Sequence, residues 1–247
     1  MTRLVTIPLS HFCEKARWAL DLAGVRYREE GHAPGLHRLA LVRLRATTVP
    51  VLVTDGRVVR GSDQILRWVD HAHGLGLVPE RRADRQEVER WTTLFDARLG
   101  PDARLWFYSW ATEDPRLFVA ALSPNVRRVE RGLLRRLRPA LARGIRRHFA
   151  IGPATRDEAG ERLSDVLAAA AERRDGSPYL VGDRFTGADL TFAALAAPLV
   201  FPRSYGSPLP PQDAVPAEMR AAIDGWRATR SGAAVIALYD RHRPPRR

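Results

Sequence analysis

Over residues 4–29 the spacing of apolar positions changes from that of a strand to that of a helix and back. Residues 4–7 form a short apolar run, which predicts a buried strand. Apolar side chains then recur at helical spacing up to residue 23, with Glu14, Lys15 and Arg17 on the opposite face. Residues 25–29 alternate as in a second strand. These segments together predict a βαβ unit.

The segment from residue 34 to residue 74 predicts a helix, a hairpin and a second helix. Residues 34–45 carry the weaker helical pattern. Two apolar runs, 50–53 and 58–59, flank Asp55-Gly56, a dipeptide typical of a tight hairpin turn. Ser62 then caps a helix that ends near Gly74. The pattern predicts a small mixed sheet with helices on its faces.

Beyond this point only helices are predicted. Glycine-rich residues 74–80 indicate a linker. Gly100-Pro101 must end or bend the helix that precedes it. Asp114-Pro115 and Ser123-Pro124 each predict a helix start, with a cap followed by proline. Further helices are predicted over residues 157–173, 187–199, 216–228 and 231–241.

Length and composition fit two domains, which we place at residues 1–78 (α/β) and 84–247 (all-helical). The chain has 247 residues, of which 45% are apolar, enough for two cores. No apolar run approaches the ~20 residues that span a bilayer, and the N-terminus lacks a signal peptide's apolar core. A single cysteine forms no internal disulfide and no cysteine-based metal site. We therefore expect a cytoplasmic protein without a membrane segment.

The formal net charge is +12, and Lys15 is the only lysine among the 40 basic residues. The densest basic segment is residues 126–148. One interpretation is a surface that binds nucleic acid or another anion. The other is a solvated helix with apolar residues facing inward, namely Val129, Leu133, Leu134 and Leu137. No nucleic-acid-binding motif accompanies the charge, so we favour the second and expect no specific nucleic-acid partner.

Ser10-His11-Phe12-Cys13 is the strongest candidate for chemistry, because it joins the first strand to the first helix. A helix N-terminus offers unpaired N–H groups and the positive end of a dipole. A thiolate or carboxylate ligand is therefore favoured beside the Ser10 hydroxyl and the Cys13 thiol.

Two further segments offer backbone groups to a ligand. A cis Val49–Pro50 bond would leave the peptide groups of Val49 free to pair with an extended ligand, although trans is the commoner state of such bonds. Gly61-Ser62-Asp63-Gln64 begins a helix whose N-terminus, with Ser62, can hold a carboxylate. A plain N-cap is the commoner interpretation of that segment.

The order and spacing of these segments resemble the glutathione transferase family over nearly the whole chain. Ser10-x-x-Cys13 resembles the serine-type turn of theta-like classes, and Val49-Pro50 resembles the cis-proline of thioredoxin folds. Residues 61–66 resemble the family's Glu-Ser-x-Ala-Ile motif. Residues 179–189 are similar to its capping-box segment, in which Thr186 and Asp189 have a structural role.

The resemblance implies a thioredoxin-like α/β domain followed by an all-α domain. It also implies conjugation of the glutathione thiolate to a small hydrophobic electrophile, in detoxification, by a homodimer without a metal. Ser10 is the implied catalytic residue, which donates a hydrogen bond to the thiolate. The implied glutathione-binding residues are Val49, Pro50, Ser62, Asp63 and His37. The implied wall of the electrophile pocket is Trp106, Phe107, Tyr108 and Trp110.

The sequence departs from the family at two positions, and two other functions stay open. Gly61 stands where the family usually has an acidic residue, and Thr48 where several classes have a basic one. Cys13 allows a glutathione-dependent thiol–disulfide oxidoreductase. The missing acidic residue and the arginine-rich segment suit a non-catalytic scaffold.

Overall fold

The computed structural model describes residues 1–245, and its N-terminal part contains a four-stranded mixed sheet. The strands are β1 (Arg3–Thr6), β2 (Arg28–Gly31), β3 (Val51–Thr54) and β4 (Arg57–Arg60). Their order is β2-β1-β3-β4, with β2 parallel to β1 and the other neighbours antiparallel. Asp55 and Gly56 both have positive φ, 45° and 75°, as the predicted hairpin turn requires.

Three helices accompany the sheet: α1 (His11–Leu22), α2 (His37–Val42) and α3 (Ser62–His73). Helix α1 connects β1 to β2, which confirms the βαβ unit. Helix α3 ends where predicted, at Gly74, whose left-handed φ of 63° an L side chain would resist. Helix α2 is shorter than predicted because residues 34–36 form a turn.

The elements that follow α3 are helical throughout the described residues. They are α4 (Arg82–Leu94), a π-helical turn (Phe95–Leu99), α5 (Gly100–Ala111), α6 (Pro115–Leu122), α7 (Arg128–Arg136), α8 (Arg138–His148), α9 (Thr155–Arg174), α10 (Gly187–Val200), a short 3-10 turn (Gln212–Ala214), α11 (Ala217–Ala228) and α12 (Arg230–His242). The predicted fold class is confirmed. Within residues 1–245 none of the helices is long and apolar enough to cross a membrane.

The predicted linker, residues 74–80, is held firmly between α3 and α10. The Asp70 carboxylate accepts hydrogen bonds from the N–H groups of Leu77 and Val78, at 2.7 and 3.1 Å. The Leu77 carbonyl accepts one from the N–H of Gly187 at 2.8 Å. The division at residues 1–78 and 84–247 stays a prediction, and residues 246 and 247 lie outside the described part.

Of the two cap-and-proline helix starts, one is confirmed and one is wrong. The Asp114 carboxylate accepts from two backbone N–H groups of the first turn of α6, at 2.7 and 2.8 Å. After Ser123-Pro124 no helix begins until Arg128, because Val126 instead forms a parallel bridge with Gly31 beside β2. At Gly100-Pro101 the chain stays helical, because the π-helical turn leads directly into α5.

The prediction for the arginine-rich segment is also wrong in detail. Val129 is 75% exposed and Leu133 and Leu137 are exposed as well, whereas Leu134 is buried. The reason is Glu130, four residues before Leu134 and on the same face of α7. Its carboxylate contacts His32 Nδ1 at 2.8 Å and accepts from the N–H of Ala33 at 2.9 Å, which turns that face toward the sheet.

The charged residues of α1 are buried rather than solvated. Glu14, Lys15 and Arg17 are fully enclosed because α1 packs against both α3 and α10. Each meets an opposite charge from a distant part of the chain: Glu14 with Arg243 (2.8 Å), Lys15 with Asp96 (2.8 Å) and Arg17 with Glu29 (2.7 Å). These contacts hold α1, and with it the N-cap residue Ser10, in place.

Candidate active site

One cavity of about 760 Å³ lies between the sheet and the helical part. Its walls come from the turn before α1, the segment before β3, the start of α3, the π-helical turn, α5 and α8. All of the site residues predicted from the sequence line it, namely Ser10, His37, Val49, Pro50, Ser62 and Asp63. The structure therefore brings together residues from four separate segments of the sheet domain.

Ser10 is the N-cap of α1 and is half-buried at the cavity wall. Its Oγ accepts a hydrogen bond from the N–H of Cys13 at 3.3 Å. This bond uses an oxygen lone pair, so the hydroxyl keeps its hydrogen for donation. A ligand atom at this point also meets the positive end of the α1 dipole.

Cys13 lies one turn into α1 and is fully buried. It is not among the residues that line the cavity. Burial raises the pKa of its thiol, against the opposing effects of Arg17 and of the Ser10 hydroxyl. The thiol is therefore protonated and enclosed at neutral pH, the opposite of a reactive cysteine.

The Val49–Pro50 peptide bond is cis. Both residues line the cavity, and the pairing of β3 with β1 begins only at Val51. The Pro50 carbonyl accepts from the N–H of Gly61 at 3.0 Å, which ties this turn to the start of α3. The peptide groups of Val49 thus lie beyond the ladder, just before β3, where the chain lines the cavity.

The start of α3 forms the adjoining wall. Gly61 has a φ of 86°, a conformation in which an L side chain is strained, and it precedes Ser62, which is buried. The Asp63 carboxylate accepts from Arg67 Nε at 2.9 Å and lies 3.8 Å from Lys15 Nζ. The first-turn N–H groups of α3 and the Ser62 side chain therefore meet at the cavity.

Asp96, which was not predicted as a site residue, lines the cavity from the π-helical turn. The Nζ of Lys15 contacts its two carboxylate oxygens at 2.8 and 3.0 Å. Burial raises the pKa of Asp96, with Lys15 opposing that effect. No local pattern in the sequence pointed to Asp96, because its partner Lys15 is 81 residues away on the predicted polar face of α1.

His37 lines the cavity from the first position of α2. Its Nδ1 accepts from the N–H of Gly35 at 3.1 Å, so the Nε2 atom carries the ring hydrogen. Burial lowers the pKa of the imidazole, and Arg38 lowers it further. The ring is therefore a neutral hydrogen-bond donor at neutral pH.

The part of the cavity wall formed by Phe12 and by residues of α5, α6, α8 and α10 is mostly apolar, and we call it the apolar chamber. Of the four aromatic residues predicted there, Phe107 and Tyr108 line it. Trp106 is buried against Trp110, whose ring lies 3.5 Å below the Arg156 guanidinium. The remaining wall, missed by the sequence analysis, consists of Phe12, Arg104, Leu122, Ala140, Leu141, Gly144, Ile145, His148, Phe149 and Pro198.

Solved structures of glutathione S-transferases share this architecture. A glutathione S-transferase from Xanthobacter autotrophicus Py2 is 20% identical and has a TM-score of 0.62, with coverage of 98% of this chain and 93% of that one. One from Methylobacillus flagellatus KT with GSH bound is 15% identical and has a TM-score of 0.56, with coverage of 95% and 98%. A theta class glutathione S-transferase from Xanthomonas axonopodis pv. citri is 18% identical and has a TM-score of 0.54, with coverage of 96% of each chain.

Family models match both parts of the chain. Residues 4–80 match the model of the glutathione S-transferase N-terminal domain, and residues 136–220 match that of the C-terminal domain. No curated protein matches this chain. The two domain models agree with the sheet topology and with the helical part described above. The chain therefore belongs to the glutathione S-transferase family.

Proposed function

We propose that the protein transfers the thiolate of glutathione to a small hydrophobic electrophile. The observation that carries the proposal is the cavity of about 760 Å³, in which a hydroxyl at a helix N-terminus, the peptide groups before β3 and a second helix N-terminus adjoin the apolar chamber. The related protein from Methylobacillus flagellatus KT was solved with GSH bound, which supports glutathione as the ligand.

In the proposed complex the cysteinyl backbone of glutathione pairs with the free peptide groups of Val49 beside Pro50. The γ-glutamyl carboxylate accepts hydrogen bonds from Ser62 and from the first turn of α3. The glycyl carboxylate accepts from Nε2–H of His37. Each contact uses a group that is exposed to the cavity.

The ammonium group of glutathione requires a carboxylate, and Gly61 offers none. Asp63 and Asp96 both line the cavity next to Ser62, and Asp96 comes from the helical part of the same chain. We propose that these two carboxylates replace the acidic side chain that the family usually has at position 61.

Ser10 stabilises the thiolate in this mechanism and is not a nucleophile. A free thiol has a pKa of about 8.5, and lowering it by about two units takes roughly 2.7 kcal/mol. A hydrogen bond to a charged group contributes about 1.5–3 kcal/mol and a helix terminus about 0.3–1 kcal/mol. The Ser10 hydroxyl and the α1 dipole are therefore sufficient together. The sulfur then attacks an electrophile held in the apolar chamber.

The two other functions are less well supported. A thiol–disulfide oxidoreductase needs an accessible, ionised Cys13, whereas this thiol is buried and burial raises its pKa. A non-catalytic scaffold would not need the Ser10 hydroxyl, the peptide groups of Val49 and the N-terminus of α3 to line the same cavity. A homodimer, a cytoplasmic location and a role in detoxification are part of the proposal by analogy with the family, and light scattering tests the first.

Retention on immobilised glutathione tests the proposal most cheaply, together with conjugation of chlorodinitrobenzene followed by absorbance. We expect retention that free glutathione reverses, and a conjugation rate that falls at least tenfold in Ser10→Ala. Ser164→Ala, which removes an exposed hydroxyl from α9, is the matched control and should behave like the parent. Absence of both retention and conjugation would favour the scaffold.

A further inference from the structure

Arg104 of α5 faces the apolar chamber with an uncompensated charge. It lines the cavity and is half-buried there. Within residues 1–245 its guanidinium forms neither a hydrogen bond nor an ion pair. The enclosed arginines of the α1 region differ, because Arg17 contacts Glu29 at 2.7 Å and Arg243 contacts Glu14 at 2.8 Å.

The neighbours of Arg104 hold its guanidinium without neutralising it. Its Cζ lies 5.1 Å from the ring centre of Phe12 and 5.5 Å from that of Phe149, which are cation–π distances. Burial raises the pKa of Tyr108, so that phenol stays protonated at neutral pH. His11 is neutral too, because burial lowers its pKa to about 3. None of these groups supplies a negative charge.

The carboxylates of the cavity are engaged elsewhere. Asp96 is paired with Lys15, and Asp63 contacts both Lys15 and Arg67. The apolar chamber therefore holds the Arg104 guanidinium without a carboxylate beside it. The other arginine that lines the cavity, Arg38, belongs to α2 and follows His37. A partly desolvated charge without a partner is unfavourable, and an anionic ligand relieves that cost.

We propose that Arg104 binds a carboxylate or sulfonate group on the electrophile, so that the preferred substrates are apolar, aromatic-sized electrophiles that bear one anionic group. The reaction in this inference is the one given under the proposed function, and the substrate class is inferred from Arg104. With an aryl halide, the glutathione sulfur forms a C–S bond and the halide leaves with the electron pair of the broken bond. The proton of the thiol passes to solvent. Arg104 holds the anionic substituent and takes no part in bond making.

The first test uses anilinonaphthalene sulfonate, a fluorescent apolar anion, in the absence of glutathione. We expect Arg104→Met to weaken its binding by about tenfold or more, the size of a charge-assisted hydrogen bond, and Arg104→Lys to retain part of the affinity. Arg143→Met is the matched control, because it removes an equal charge from the exposed face of α8. A loss below twofold in Arg104→Met, or an equal loss in the control, overturns the inference.

The second test compares chlorodinitrobenzene with its carboxylate-bearing analogue chlorodinitrobenzoate at saturating glutathione. We expect Arg104→Met to lower kcat/KM for the benzoate by about tenfold or more while changing that for the neutral compound less than threefold. Equal losses with both compounds overturn the inference. A raised pKa of the bound thiol in Arg104→Met, with unchanged sulfonate binding, would assign Arg104 to the thiolate instead.

The two levels of the proposal fail in distinguishable ways. If the parent protein does not bind glutathione but its sulfonate affinity depends on Arg104, the proposed function fails and the anion site stands. If glutathione binding and conjugation are normal but the variants do not discriminate by charge, only the substrate class is wrong. Far-ultraviolet circular dichroism of each variant verifies that it is folded.

Discussion

The single lysine of the chain, Lys15, contacts both carboxylate oxygens of Asp96, at 2.8 and 3.0 Å. The lysine belongs to α1 and is fully buried, and the aspartate belongs to the π-helical turn, 81 residues later. This pair joins the two parts of the molecule beside the cavity, which Asp96 lines. It also brings a carboxylate next to the start of α3.

Replacing Lys15 with methionine should destabilise the fold. Methionine keeps the apolar stem of the lysine but not its charge. Asp96 therefore loses its cation, and Asp63 keeps only Arg67. We expect the free energy of unfolding, from urea titration, to fall by about 2 kcal/mol, less than for a fully enclosed pair because both carboxylates are partly exposed. Arg90→Met breaks the exposed contact with Glu87 and should change stability by less than about 0.5 kcal/mol. Equal effects of the two variants would contradict the role of Lys15.

Asp96→Asn should weaken glutathione binding, because the amide keeps the shape of the side chain but not its charge. We expect the Kd measured by calorimetry to rise by about tenfold. A glutathione analogue without the γ-glutamyl amino group should bind the parent and the variant equally. Asp102→Asn, which removes a carboxylate paired with Arg162 outside the cavity, should leave the Kd unchanged. Unchanged affinity in Asp96→Asn would mean that the ammonium is held elsewhere.

His11 should make the stability depend on pH. Burial lowers its pKa from 6.5 to about 3, with Arg104 adding to the effect and the Gly100 carbonyl, 2.8 Å from Nε2, opposing it. Between about pH 6.5 and pH 3 the His11 imidazole binds a proton in the unfolded chain but not in the folded chain. The contribution of neutral His11 to the free energy of unfolding is therefore fully present above about pH 6.5 and is lost as the pH falls below it.

Between about pH 7 and pH 5 we expect the parent to lose about 2 kcal/mol more than His11→Gln, which keeps a donor for the Gly100 carbonyl but does not titrate. Urea titrations at several pH values measure the difference. His71→Gln, at an exposed position of α3, should keep the slope of the parent. Parallel curves for the parent and His11→Gln would show that His11 is not the titrating group.

Glu14 should be essential for docking the end of the chain on α1. Its carboxylate accepts from the N–H of Gly206 at 3.0 and 3.1 Å and from Arg243 Nε at 2.8 Å, all in a buried place. Glu14→Gln removes a negative charge that Arg243 and Arg17 share, and leaves Arg243 with Asp21 alone, 2.8 Å from Nη1. We expect a loss of about 3 kcal/mol in the free energy of unfolding. Asp224→Asn, at an exposed pair with Arg227, should cost less than about 0.5 kcal/mol. A small loss in the free energy of unfolding of Glu14→Gln would mean that water reaches the pair of Glu14 and Arg243.

The parts of the fold that sequence analysis predicted well depend on local interactions. The Asp55-Gly56 turn adopts the positive φ values that these residue types favour, and α6 begins at its Asp114 cap. The capping box also forms, with the Asp189 carboxylate accepting from the N–H of Thr186 at 2.9 Å. Each of these involves residues within four positions of one another.

What could not be predicted depends on residues that are distant in sequence. Helical periodicity places Lys15 on a polar face of α1 but does not reveal that Asp96 covers that face. The orientation of α7 follows from the bond between Glu130 and His32, 98 residues apart. The cavity-lining Arg104 likewise has no local signal, because neither Phe12 nor Phe149 is near it in sequence.

The most direct test is the pKa of the glutathione thiol bound to the parent and to Ser10→Ala, from ultraviolet absorbance of the thiolate against pH. We expect a value about two units below that of free glutathione in the parent, and a return by at least one unit in Ser10→Ala, with glutathione still bound. A thiol pKa that is the same in both proteins would contradict a thiolate held by Ser10.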